Sequence, residues 1–118
     1  MDIESLRQYC LSLKASTEDM PFGPDTLVFR VMGKIYALTS LDVEECRINL
    51  KCDPEYALEL REQYSDIIPG YHMNKKHWNT VYCDKGLDAA LIRKLVQHSY
   101  DLIVKSLPKA DKETFNQL

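Results

Sequence analysis

Two lysines, two histidines, two asparagines, a tyrosine and a tryptophan fall within the thirteen residues PGYHMNKKHWNTV, numbers 69–81. Lys75 and Lys76 supply point positive charges, and Asn74 and Asn79 can both donate and accept hydrogen bonds. Tyr71 and Trp78 offer flat faces. Together these types can hold phosphate oxygens while stacking or wedging against a base. A hairpin carrying them could enter a groove as a wing, with His77 beside the lysines. The same segment can equally be read as architecture, since lysines are ordinary in exposed turns and Trp78, the only tryptophan, can fill a core.

A second cationic set comes from alternation. In the run from Glu45 to Lys51, the apolar Cys46, Ile48 and Leu50 alternate with Arg47, Asn49 and Lys51. The period of two predicts a half-buried strand with one polar face. Arg30 and Lys34 could extend that face. The chain carries a net −3, with 15 Lys and Arg against 18 Asp and Glu. Residues 1–68 hold the acidic excess and residues 69–105 the basic one. Overall acidity argues against a broad, nonspecific nucleic-acid binder, while the asymmetry leaves room for one local basic face.

Other chemistries find little support. His72, His77 and His98 would have to converge from distant segments to hold zinc. Cys10, Cys46, Cys52 and Cys83 contain no CxxC pair, so they read as reduced thiols rather than zinc ligands. No nucleophile elbow or paired-carboxylate signature suggests an enzyme. The glycines are scattered singly and form no phosphate cradle. The expectation is therefore a binding module with no metal, no cofactor and no catalytic residues.

The elements that must position these groups follow from periodicity and caps. Asp2 to Lys14 reads as a helix capped by Asp2. The segment ASTEDMPFGPD then interrupts regular structure, with Phe22 either plugging the core from a loop or joining a contact surface. Leu27–Val31 and Lys34–Thr39 form a hairpin around Gly33. After the Glu45–Lys51 strand, Asp53 and Pro54 open a second helix. Short strands around residues 67–72 and 77–83 flank the Asn74–Lys76 turn. Asp88 caps a third helix whose broad apolar stripe ends before Pro108, and residues 109–118 read as a frayed tail. The order α-β-β-β-α-β-β-α predicts an α+β fold: one domain over residues 1–118, an antiparallel sheet of about five strands, and helices packed on one side. No membrane span or secretory leader is read, so the expected location is cytoplasmic.

Four fragments in order, MPFGPDTLVFRVMGKIYAL (20–38), NLKCDPEYALELR (49–61), PGYHMNKKHWNTV (69–81) and SYDLIV (99–104), resemble the bacterial MmcQ/YjbR family over about Leu6 to Val104. The resemblance implies a CyaY-like α+β fold, sometimes described as a double-wing DNA-binding fold. It carries the family's hallmarks onto Phe22, Gly23, Gly33, Lys34, Asn49, Leu50, Lys51, Pro54 and the run from Tyr71 to Thr80. The leading expectation is a DNA-binding domain in which Lys75, Lys76, Lys34, Arg47 and Lys51 contact phosphates and Asn74, Asn79 and His77 act beside them. One alternative is a protein-interaction or chaperone-like module using the sheet face and Phe22. Another is a small-anion or metabolite pocket formed by Tyr71, His72, Lys76 and Trp78. The oligomeric state is not legible.

Overall fold

The computed structural model describes all residues 1–118. The chain runs α1 (Ile3–Ser12), β1 (Ser16–Asp19), β2 (Thr26–Val31), β3 (Lys34–Ser40), β4 (Arg47–Lys51), α2 (Pro54–Gln63), β5 (Ile67–Pro69), β6 (Trp78–Tyr82), α3 (Ala89–Lys105) and α4 (Lys109–Asn116). The strands form one antiparallel sheet in the order β1-β2-β3-β4-β6-β5. The three expected caps are present. Asp2, Asp53 and Asp88 accept from the backbone N–H groups of Ser5, Tyr56 and Ala90, and each offsets part of the cost of a bare helix start.

Register separates the two faces. Directly paired residues share a side of the sheet. Thr39, Ile48, Val81 and Ile67 form one such line, and Ala37, Leu50 and Asn79 another. All seven are buried, and five of them, Ala37, Ile48, Leu50, Ile67 and Val81, are apolar. Leu6 and Cys10 of α1, Ala57 and Leu60 of α2, and Ile92, Leu95, Val96, Tyr100 and Ile103 of α3 pack there in one continuous core. The helices thus cover one face, as the period of the sequence predicts. The opposite face carries Leu38, Asn49, Thr80 and Ile68 on one line.

The β3–β4 ladder is short, pairing only Ala37–Thr39 with Leu50–Ile48. A register shift between Phe29 and Arg30 leaves Tyr36 outside the β2–β3 pairing, and bulges of this kind locally disrupt a ladder. Ser99 of α3 occupies the break. Its hydroxyl donates to the Tyr36 carbonyl at 2.6 Å and accepts from the Lys51 N–H at 2.9 Å.

Two elements differ from expectation. Residues 16–19 form a sixth strand at the sheet edge. STED shows no apolar alternation, because an edge strand of alternating half-buried and exposed residues needs no apolar side. Residues 109–118 are not a frayed tail: α4 packs through Phe115 against Tyr100, ring centroids 6.3 Å apart, with the Lys14 ammonium 4.3 Å from the Phe115 centroid. Phe22 does not plug the core; it is 65% exposed. No helix is long and apolar enough to cross a membrane.

Candidate functional site

The segment from Gly70 to Trp78 is built by its own backbone and by one cation from α2. Gly70 donates to the Trp78 carbonyl at 2.8 Å. A Cβ at Gly70 would lie 2.9 Å from the Trp78 Cβ and carbonyl oxygen and 3.0 Å from the Met73 Cβ, so the two chains approach too closely for any side chain there. The Asn74 carbonyl accepts from the His77 and Trp78 N–H groups, and its Oδ1 accepts from the Lys76 N–H at 3.0 Å. This is an Asx-type turn that satisfies itself locally. His72 sits at φ 58, in the left-handed region.

Arg61 of α2 reaches under the hairpin. Its Nε donates to Asn79 Oδ1 at 2.7 Å, and its Nη2 donates to the carbonyls of Lys75 and Trp78. The rigid fork of a guanidinium suits this three-way attachment. Periodicity alone marks Arg61 only as part of the packing side of its helix. The missed signal was its charge on that side, since a cation on a buried stripe requires acceptors.

Each sequence-predicted residue can now be placed. Asn79 is a correction. Its pairing with Leu50 turns it to the helix-covered face, where it is 2% exposed, and its Nδ2 is buried without a partner. It cannot touch a ligand on the open side. Asn74 is exposed but its side chain closes the turn. Lys75 is exposed, yet its ammonium donates to the Gly70 carbonyl at 3.1 Å. Lys76 is exposed and its ammonium has no partner within the chain, and Lys34 opens β3 in the same condition. His77 is half-buried and its carbonyl accepts from the Cys52 N–H at 2.8 Å. Arg30 is engaged by Asp19 at 2.9 Å and by the Gly33 carbonyl, so it adds no free cation.

Arg47 and Lys51 remain, half-buried on β4 with Asn49 between them. Their register partners on β6 are Tyr82 and Trp78. The open face of β4–β6 therefore carries two rungs that each pair a cation with an aromatic ring, flanking Asn49–Thr80. Four residues of strand separate the rungs by about 13 Å. Asn49 and Thr80 anchor the loop that crosses this face. The Thr80 hydroxyl donates to Asn49 Oδ1 at 2.5 Å and accepts from the Tyr71 N–H at 3.0 Å, while Asn49 Nδ2 donates to the Tyr71 carbonyl at 3.5 Å. The Tyr71 ring lies 4.1 Å from His72 and 5.4 Å from the Arg47 guanidinium, close enough for a cation–π contact. Arg47, Asn49, Tyr71 and His72 line a cavity of about 170 Å³ with Ser40 and Thr26. Lys76 and Trp78, expected in such a pocket, are not part of it.

His98 lies elsewhere. Its Nε2 accepts from the Asp53 N–H at 3.2 Å, and its ring meets Tyr56 edge-on. No group of three or more His, Cys, Asp or Glu residues is placed to hold a metal ion.

The YjbR family model matches residues 11–102. The uncharacterized protein YbdF of Escherichia coli O157:H7 is 41% identical over 110 residues, covering 93% of this chain and 90% of that protein. The uncharacterized protein YjbR of Escherichia coli K12 is 33% identical over 118 residues, the full length of both. Among solved structures, Deinococcus radiodurans protein DR2400, with a DUF419 domain, superposes with a TM-score of 0.90 at 40% identity, covering 97% of this chain and 87% of that one. A Pseudomonas syringae protein superposes with a TM-score of 0.77 at 32% identity, covering 86% and 98%.

Proposed function

The chain belongs to the YjbR family, and on that footing we propose that it is a DNA-binding module whose contact surface is the open face of β4 and β6. The observation that carries this reading is the pair of cation–aromatic rungs, Arg47 with Tyr82 and Lys51 with Trp78. Rings for base stacking and cations for phosphates at the two ends of this face, on either side of the loop that crosses it, fit an unpaired strand better than a duplex groove. Lys76 and Lys34 add charge beyond the rungs, and Lys75 contributes less because its ammonium already has an acceptor. The role is binding rather than catalysis.

Anisotropy of labelled single-stranded and duplex DNA, titrated between about 50 and 200 mM salt, tests the proposal. With roughly three phosphates neutralised on a single strand, log K should fall against log salt with a slope of about −2. Folded protein that binds neither form at the low-salt end would refute it.

The cavity beside Arg47 favours a second reading, a small-anion site. There Arg47 and Asn49 would hold a carboxylate or phosphate under the Tyr71–His72 lid. Calorimetric titration with inorganic phosphate separates the two readings. Saturable binding lost in Arg47→Gln but retained in Lys51→Gln and Lys76→Gln would favour the anion site.

A further inference from the structure

At the other end of β4 and β6, beyond the Arg47–Tyr82 rung, the next residues in register are Cys46 and Cys83. The Cys83 N–H donates to the Cys46 carbonyl at 2.7 Å, while the Cys83 carbonyl accepts from the Met1 amino group at 2.6 Å. One of the two bonds of a hydrogen-bonded cross-strand rung is thus made, and at such a rung the Cα atoms stand about 5.5 Å apart. That spacing lies within the range a disulfide spans. Both are free thiols. Cys83 is 1% exposed, whereas Cys46 is half-buried. Both line a groove of about 580 Å³ whose walls include Ile3, Val43 and Leu87.

We propose that Cys46 and Cys83 are a redox-modification site, at which a neutral hydroperoxide entering this groove is reduced and the two thiols are joined as a cross-strand disulfide.

Cys46 is the attacking sulfur because it is the one solvent reaches. Its thiolate attacks the nearer peroxide oxygen and the O–O bond breaks. The departing oxygen takes a proton and leaves as water or an alcohol, so Cys46 becomes a sulfenic acid. The Cys83 sulfur, giving its proton to solvent, then attacks the Cys46 sulfur. The S–S bond forms, the S–O bond breaks, and hydroxide leaves and is protonated to water. Two thiols lose two electrons and one peroxide gains them.

The surroundings select the oxidant and the order of events. Asp2, Glu44, Glu45 and Asp84 line the same groove, and Asp84 Oδ2 accepts from the Cys46 N–H at 2.9 Å. The Met1 ammonium, held on the Cys83 carbonyl, is the counter-charge in the groove. The four carboxylates outnumber it, so the net charge repels anionic oxidants but not an uncharged peroxide. The neighbouring Cys83 thiol holds the Cys46 thiol below its ordinary value, against burial and the charge of Asp84. Proximity to Cys46, with burial, pushes Cys83 up, and its thiol donates to the Val81 carbonyl at 3.5 Å. Cys46 precedes the first residue of β4, so its backbone can adjust.

Cys10 and Cys52 are internal controls. They are 0% and 4% exposed, and burial pushes both thiols up to about 12. The native chain is treated with hydrogen peroxide near neutral pH, then denatured, alkylated and mapped by peptide mass spectrometry. The expected result is a Cys46–Cys83 cross-linked peptide with Cys10 and Cys52 fully alkylated. In Cys83→Ser, dimedone should trap a sulfenic acid on Cys46 alone. Uniform oxidation of all four cysteines, oxidation of Cys46 that never proceeds to a disulfide, or no reaction where free cysteine is consumed would each overturn the proposal.

Discussion

Arg61 donates to Asn79 across 2.7 Å, and this one contact ties α2 to the strand that follows the cationic hairpin. Asn79 is almost fully buried, so the bond lies where water competes weakly. Because the same guanidinium also holds the Lys75 and Trp78 carbonyls, the hairpin's shape depends on a residue outside it.

Replacing Arg61 with Met should therefore cost about 1.5–3 kcal/mol, the range for losing a hydrogen bond from a charged group. Arg61→Lys should recover little, since an ammonium cannot reproduce the fork. Chemical denaturation gives the stability change. Amide exchange should quicken at Gly70 and Trp78 more than in the core of α3.

Substitutions that each remove one positive charge should sort the cations of the proposed surface. Lys76→Gln, Lys51→Gln and Arg47→Gln should each weaken single-strand DNA binding and reduce the salt slope by about 0.7. Lys75→Gln should do less, because its ammonium already spends a hydrogen bond on Gly70. Equal losses from Lys75 and Lys76 would show that the turn rearranges on binding.

Gly70→Ala tests the close approach of the two strands. Its Cβ would meet backbone and side-chain atoms of Trp78 at 2.9 Å. Overpacking of this kind costs about 1–3 kcal/mol. The thermal midpoint should fall even though Gly70 needs no left-handed conformation.

Alkaline pH should destabilise the fold. The Cys10 and Cys52 thiols are held protonated by burial, with values raised from an ordinary 9.0 to about 12. Below 9.0 both states carry these protons and the stabilisation is fully present. Above it the unfolded chain releases them first, so stability falls progressively as pH rises from 9.0 toward 12. Denaturation midpoints across that interval should fall less steeply in a Cys10→Ala, Cys52→Ala variant.

Where sequence was a sufficient guide, a single local rule governed the outcome. Asp53 before Pro54 opens α2, Asp88 opens α3, and the alternation expected over Glu45–Lys51 is a two-sided strand over Arg47–Lys51. The misses depended on partners distant in the chain. β1 is a strand only because β2 offers it an edge, and α4 holds because Phe115 finds Tyr100. Asn79 looked like one more polar group in a polar hairpin. Its orientation was set by register against Leu50, which residue types alone do not encode. The Cys46–Cys83 pairing depends on the same register, since the two flank β4 and β6, which are separated in sequence by α2 and β5.

The Ser99 hydroxyl, inserted between Tyr36 and Lys51, extends the short β3–β4 ladder by way of a helix. A side chain stands in there for the rung beyond Ala37–Leu50, so the end of the seam between β1–β3 and β4–β6 is latched by α3 while three direct pairs hold the rest. Undocking α3 releases that end at one identifiable amide, and the exchange rate of the Lys51 N–H becomes a gauge of how often the helix lifts from the seam. Ser99→Ala should speed that exchange selectively, leaving the ladder between β4 and β6 intact.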